Sequence, residues 1–361
     1  MTALKTALCE QLGIELPIIQ APMAGGTTTP ELVAAVCKAG ALGSFGFAYT
    51  QPEAMQRDVD EVRARTRAPF NVNFFVNDTA GAIEEAEQRS AIDALAPYFD
   101  ELGLKRPQPV RPPYAPDQNA QLNALTTLRP AIFTFHLGGV SGERIAAIRA
   151  LGTKIGGSAT CVAEAKHLEA LGVDFIVAQG AEAGGHRGTY LRDPYEAMTG
   201  TLALVRLVVR AVNIPVVAAG GIMDGAGIAA ALALGAQAAQ LGTAFLPCAE
   251  SGASPVHKAA ILAARDDDTL ITEKFSGKPA RGLANRYMRE MKDAPQLAFP
   301  AQNALTGPLR SAAAKAGKGD FMSLWAGQAV ALARELPAAE LVARLKAETL
   351  ETLERLSRLR G

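Results

Sequence analysis

The sequence predicts an α/β fold, a (β/α)8 TIM barrel with a smaller insertion subdomain at its C-terminal face. Three observations predict it. Eight short apolar runs alternate with helical stretches along the first 250 or so residues. The runs are apolar nearly throughout, as parallel strands covered on both faces must be. Glycines and polar side chains gather just after the runs, where barrel enzymes keep their working residues. An open doubly wound sheet would instead carry a glycine fingerprint after its first strand, and "APMAGG" is not GxGxxG.

In chain order, "PIIQAPM" (17–23) is the first strand. The helix "TPELVAAVCKAG" follows, with Thr29 as N-cap, Pro30 at the first helical position and Gly40 as C-cap. "ALGSFG" (41–46) is the second strand and 52–65 the next helix; "FNVNFFV" (70–76) is the third strand. "AIFTFHLG" (131–138), "KIGGSA" (154–159) and "VDFIVAQG" (173–180) are the fourth to sixth strands. "IPVVAAGG" (214–221) and "AAQLGTAF" (238–245) are the seventh and eighth. Helical patterns such as "GERIAAIRALG", "VAEAKHLEALG", "TLALVRLVVRAV" and "GAGIAAALALG" separate them.

Two segments exceed a minimal barrel. Residues 77–130 hold a charged helix and the Pro-rich "RPQPVRPPYAP" (106–116), read as a rigid excursion. Residues 250–320 are polar and read as an insertion over the mouth, with "ARGLANRYM" (280–288) nearest a ligand. The domain assignment is therefore 1–249 with 321–361 as the barrel, and 250–320 as the insertion subdomain. "FMSLWAGQAVALARE" (321–335) and an amphipathic stretch at 337–358 are the closing helices.

Composition narrows the function. Thirty-six basic and 36 acidic residues give zero formal charge, and no basic–aromatic stripe appears, so nucleic acid is excluded as the expected partner. No apolar run reaches about 18 residues and the start lacks a signal-peptide pattern, which predicts no membrane segment and a cytoplasmic protein. Cys9, Cys37, Cys161 and Cys248 lie far apart without a CxxC pair, which predicts free thiols and no metal site. Apolar, Ala-rich outer helices leave room for a homodimer.

The strand ends in turn offer Gln20 to Met23, Asn73, His136, Ser158, Gln179, Gly220 and Gly221, and Gln240 to Thr243. The glycine turns after the seventh strand and at the eighth form a phosphate cradle or are simply tight turns. In "EAGGHRG" (182–188) a histidine sits on a bare backbone, and so many glycines imply a tight turn or a close ligand. Arg187 either attracts an anion or pairs with a carboxylate. His167, on a charged helix, and His257, at a helix start, read as surface residues.

Together "PIIQAPMAGG", "QGAEAGGHRG", "PVVAAGGI" and "QLGTAFLPCAES" resemble the motifs of the nitronate monooxygenase family, formerly the 2-nitropropane dioxygenases. "FTFHLGG" resembles the class I bacterial type. The resemblance runs from about residue 10 to "SLWAGQA" near 325. It implies one FMN. The backbone around Met23 would face the flavin ring, Asn73 and Gln179 would hydrogen-bond the ring or ribityl chain, and Gly184, Gly221, Gln240, Leu241, Gly242 and Thr243 would line the chain and phosphate. It implies His186 as the catalytic histidine, with His136 pointing into the same mouth. The implied reaction oxidises alkyl nitronates such as propionate 3-nitronate with O2 to a carbonyl compound and nitrite. Related quinone reductases and enoyl-thioester reductases share the Gly-Gly-His element, so an NAD(P)H-dependent FMN reductase is the alternative. A phosphate-binding barrel without redox chemistry is the third reading.

Overall fold

The computed structural model describes residues 4–76 and 81–360, so the expected excursion over 77–130 begins outside the described residues. Strands β1 (Ile18–Gln20), β2 (Ser44–Gly46), β3 (Asn71–Phe75), β4 (Ile132–His136), β5 (Lys154–Ala159) and β6 (Phe175–Gln179) are followed by a two-residue strand, β7 (Gly185–His186). Next come β8 (Val216–Ala219), β9 (Ala238–Leu241), β10 (Thr269–Thr272) and β11 (Ala280–Leu283). Eight of them form one parallel sheet in the order β1-β9-β8-β6-β5-β4-β3-β2. A parallel bridge between Ile19 and Leu42 brings the two ends together, so the sheet is a nearly closed (β/α)8 barrel. All eight expected strands are present.

Local chemistry sets the helix boundaries. The helix Pro30–Lys38 starts on Thr29, whose hydroxyl accepts from Leu32 N–H, with Pro30 where a missing N–H costs nothing. Gly40 follows its end at φ +86°, a left-handed angle that suits glycine. Inside the barrel, Ile19, Ile132, Phe175, Val177 and Val217 pack in a layer that the helix Ala7–Leu12 closes from below. Gly156 belongs to this packing: a Cβ there would lie 2.5 Å from the Phe175 ring.

A second core sits over the mouth. It joins Phe275, Tyr287, Leu305, Leu309 and Phe321 to Leu95, Tyr98 and Phe99 of the helix Glu85–Glu101. That charged helix is thus part of the cover and not a separate excursion. β10, β11 and β7 form a three-stranded antiparallel sheet, with Ala280 opposite His186 and Arg281 opposite Gly185. The cover is therefore sewn directly to the loop after β6.

The expected helix over 321–335 does not form. Short 3-10 turns at Gly319–Phe321 and Val330–Leu332 flank an extended stretch that lies along β11, with Leu283 N–H donating to Leu324 O and Trp325 bridged to Gly282. Gln328 N–H also donates to Glu182 O at 2.9 Å. Those backbone partners outcompete the helix propensity of the Ala-rich sequence. The last helix, Ala338–Ser357, is present and packs on the helix Gly225–Ala233. Its Thr349 backbone comes so near that a Cβ on Gly225 would sit 2.3 Å from Thr349 N. Among the described residues no helix is long and apolar enough to cross a membrane, and the four cysteines are free.

Candidate active site

A cavity of about 640 Å3 opens at the C-terminal ends of the strands, a size usual for cofactor and ligand pockets. Met23, Asn73, His136, Ser158, Gln179, Gly184, His186, Gly221, Gln240, Gly242 and Thr243 all line it. Leu241 does not: strand alternation turns it into the buried core, and its carbonyl accepts from Ala21 N–H.

The β6 end holds the loop through one amide. Gln179 Nε2 donates to His186 O at 2.9 Å, and Gln179 Oε1 accepts from Gly188 N–H at 2.7 Å. One N–H of that amide is left for a ligand. His136 Nε2 lies 3.1 Å from the same His186 carbonyl. A carbonyl only accepts, so His136 carries its proton on Nε2 and its lone pair on Nδ1. Gly188 makes room for this ring, because a Cβ there would be 2.5 Å from His136 Cε1.

The glycines around His186 have distinct jobs. Gly184 faces the 326–327 backbone, and its Cβ would fall 2.6 Å from Ala326 C. Gly185 adopts φ +74° with nothing within 4 Å of its Cβ position, so bare backbone borders the cavity there. The bare loop thus serves both close packing by the cover and close approach by a ligand.

His186 is buried, and its Nε2 sits 2.9 Å from Ser276 Oγ. Ser276 gives its one hydroxyl proton to Lys278 O at 3.2 Å. His186 Nε2 is then the donor, and Nδ1 holds the lone pair. Burial pushes His186 down to about 3, with the charges of His136, Lys278 and Arg310 adding to it. Burial likewise takes His136 down to about 4, opposed by its bond to the His186 carbonyl. Both rings are neutral across the physiological range.

Asn73 and Asn71 both donate to Thr134 Oγ1, at 2.9 and 2.8 Å, which fixes Asn73 at the cavity floor. Thr243 Oγ1 accepts from Gly327 N–H at 2.9 Å and keeps its own proton to give. Thr243 also opens the 3-10 turn Thr243–Phe245, so its N–H has no partner within that turn. The glycine turns at 220–221 and 242 border the same end of the chain's last two barrel strands.

Several expectations change. His257 is buried and not on the surface; it lines the cavity, its Nε2 donates to Trp325 O at 3.1 Å, and burial lowers it to about 4. A helix start reads as exposed locally, but the 321–330 segment folds over it. His167 is exposed as expected. Arg187 is buried outside the cavity lining, and its guanidinium donates to the Gln179 and Ala197 carbonyls, so it braces the loop. The "ARGLANRYM" stretch (280–288) contributes nothing to the lining. Its place is taken by Asn303, Gly307 and Arg310 of the helix Ala301–Lys315, together with Tyr49, Phe75 and Trp325. Asn303, Gly307, Arg310 and Ala314 recur at helical spacing, a one-sided stripe visible in the sequence.

The sequence pattern of the nitronate monooxygenase family matches residues 5–348. The chain is 46% identical to a nitronate monooxygenase of Paraburkholderia phytofirmans, over 98% of this chain and 97% of that one. The structure of a nitroalkane oxidase from Streptomyces ansochromogenes superposes with a TM-score of 0.90 at 42% identity, covering 97% of this chain and all of the other. FabK from Thermotoga maritima superposes at 0.77 with 30% identity, covering 98% and 99%.

Proposed function

Because the chain belongs to the nitronate monooxygenase family, and is thus an oxidoreductase of nitronates, we propose that it binds FMN and oxidises alkyl nitronates with O2 to a carbonyl compound and nitrite. The observation that carries this reading is a neutral, buried His186 facing a cavity whose other polar groups are amides, hydroxyls, bare backbone, the His136 and His257 imidazoles and the Arg310 guanidinium. The residues fit FMN. Asn73 and the spare Gln179 N–H offer the mixed donors and acceptors that a flavin edge needs. Gly221, Gly242 and the Thr243 hydroxyl and N–H supply a single phosphate cradle. Bound there, FMN would supply the electron transfer from nitronate to O2, and the protein binding, orientation and proton handling.

A nitronate is already an anion and needs no base. A neutral nitroalkane must lose an α-proton, and the Nδ1 lone pair of His186 takes it. Desolvation keeps this imidazole unprotonated and ready to accept, but makes it hold a proton weakly. The nitronate charge formed beside it supplies the counter-ion that offsets that weakness. The Ser276 and cover-sheet contacts fix the ring, and His136 with Gln179 fixes the carbonyl of the same residue, so the base is held at both ends. We read 1–249 with 321–361 as the catalytic barrel, and 250–320 as the cover that keeps water from this ring.

The test is nitrite release from propionate 3-nitronate in air, with flavin recovered by heat and identified by chromatography. FMN and nitrite are expected. FAD as the sole flavin would reject the cofactor. Rapid flavin bleaching by NADH without oxygen, with no nitrite from any nitronate, would favour the reductase alternative.

A further inference from the structure

The backbone between Trp325 and Val330 is a strap drawn across one end of the cavity. It is anchored on both sides. Trp325 is bridged to Gly282 of β11, and Val330 is fully buried in the core over the mouth. Between the anchors, Gly327 N–H donates to Thr243 Oγ1 at 2.9 Å, and Gln328 N–H donates to Glu182 O at 2.9 Å. Glu182 is itself tied down, because its carboxylate accepts from both the N–H and the hydroxyl of Thr201 at 2.8 Å. The crossing has no slack. A Cβ on Gly184 would lie 2.6 Å from Ala326 C and 2.7 Å from Gly327 N, and a Cβ on Gly327 would lie 2.8 Å from Glu182 O. Two glycines therefore let loop and strap meet backbone to backbone.

Space continues on the far side. A groove of about 360 Å3 lies outside the barrel, between the helices Thr201–Val209 and Gly225–Ala233, with Leu202, Val205, Gly227 and Ala231 in its walls. Gly220, Gly221, Ile222 and Ala329 line both this groove and the main cavity. The partition is thus one turn of backbone and the strap. Gly327, buried, borders the cavity alone, and Gln328, exposed, borders the groove alone.

Phosphate chemistry gives this partition a consequence. A mononucleotide ends in a phosphate monoester, whose oxygens need donors and nothing beyond them. A dinucleotide carries a phosphodiester at the same place, and its chain must leave the cradle on the far side. The Thr243 hydroxyl belongs to the proposed cradle and also holds the strap, so backbone closes that side. We propose that the strap 326–329 is the specificity element of the cofactor site: it makes the phosphate end blind, and so admits FMN and turns away FAD and other phosphodiesters. Gly184 and Gly327 act by letting loop and strap close on each other. The outer groove is then the space a second nucleotide would enter if the strap were lifted. The inference rests on the FMN reading, and adds the residues that set the choice of flavin.

Binding alone tests it, without turnover. The full-length chain, freed of flavin, is titrated with FMN, with the monomethyl phosphate ester of FMN and with FAD, following flavin fluorescence. The ester keeps the ring, the ribityl chain and a charged phosphate, and adds one methyl group at the blind end. Wild type should bind FMN at least about 30-fold more tightly than the ester or FAD, the scale of an overpacked contact. Gly184→Ala pushes the strap away. It should weaken FMN about 10-fold and shrink its advantage over FAD to less than about 3-fold. Equal binding of FMN and its ester by wild type would overturn the blind end and leave the FMN reading standing, and this arm decides even if Gly184→Ala does not fold. A folded Gly184→Ala protein with the full preference for FMN would overturn the role of the strap. Failure of wild type to bind any of the three would sink the FMN reading, and this inference with it.

Discussion

The two sides of the cavity use their polar groups differently. On the barrel side, Gln179 and Arg187 hold backbone of the loop after β6. Nearby, the buried Glu164 carboxylate accepts from Thr160, Tyr190 and Leu191, and Glu182 caps the helix at Thr201. On the cover side, Arg310 leaves Nη1 without a hydrogen bond; the Tyr49 hydroxyl, on the barrel loop after β2, is also unmet. The first arrangement makes a rigid frame that places His186. The second leaves a guanidinium N–H at the cavity without a protein partner. Substitutions on the frame should therefore cost stability, and substitutions at the open groups should cost recognition.

The largest expected effect breaks the frame. A Cβ on Gly180 would lie 1.9 Å from Thr201 Oγ1 and 2.6 Å from Thr201 Cα, and backbone cannot step aside. Gly180→Ala should lose more than about 4 kcal/mol or fail to give folded protein, read by denaturant unfolding. Gln179→Leu comes next. It strands the Gly188 N–H in a dry site and removes one donor from His186 O, a loss of about 2–4 kcal/mol by the same measurement. An unfolding curve within 0.5 kcal/mol of wild type, by the usual surface scale, would mean the loop is held some other way.

Acid stability sharpens the comparison. His136, His186 and His257 sit at about 4, 3 and 4 in the folded chain, below the 6.5 of a free imidazole. Each is neutral when folded and charged when unfolded between those limits. Their contribution is complete above pH 6.5 and is lost as pH falls toward 4, at up to about 1.4 kcal/mol per pH unit for each ring. His257→Gln keeps a donor for Trp325 O and removes one ring from the balance. At pH 5 the variant should have recovered about 2 kcal/mol relative to its difference at pH 7.5. Parallel stability curves for the two proteins would contradict the buried-neutral assignment. The smallest effect lies on the open side. Arg310→Met should leave stability within about 1 kcal/mol of wild type or raise it, because it removes a half-buried charge that no carboxylate among the described residues pairs with.

The frame was legible in the sequence and the open side was not. Apolar runs, the Thr29–Pro30 cap and the glycines after each run all act locally, so "VDFIVAQG" and "EAGGHRG" announced a strand and a bare loop carrying His186. The cover depends on pairings between distant segments. Nothing near 321–335 reports that β11 will claim its backbone, or that His257 will lie beneath it. Ser276 and Arg310 reach His186 and its cavity only through that assembly, although the spacing of Asn303, Gly307 and Arg310 marks a one-sided helix. Arg187, beside His186 in sequence, reads equally as an anion's partner or a carboxylate's. It donates to two carbonyls instead, and the guanidinium that lines the cavity is that of Arg310.

The central claim is that the frame exists to hold His186 as a neutral base, and replacement by Asn tests it most directly. Asn keeps a donor toward Ser276 but accepts no proton near neutrality. Nitrite release by His186→Asn should fall by about 100-fold or more with a neutral nitroalkane, the usual scale for a general base. With the preformed nitronate it should fall only a few-fold on the same scale, with the flavin content unchanged. Equal losses on both substrates with full flavin content would contradict the account, and would make His186 a binding group rather than the base.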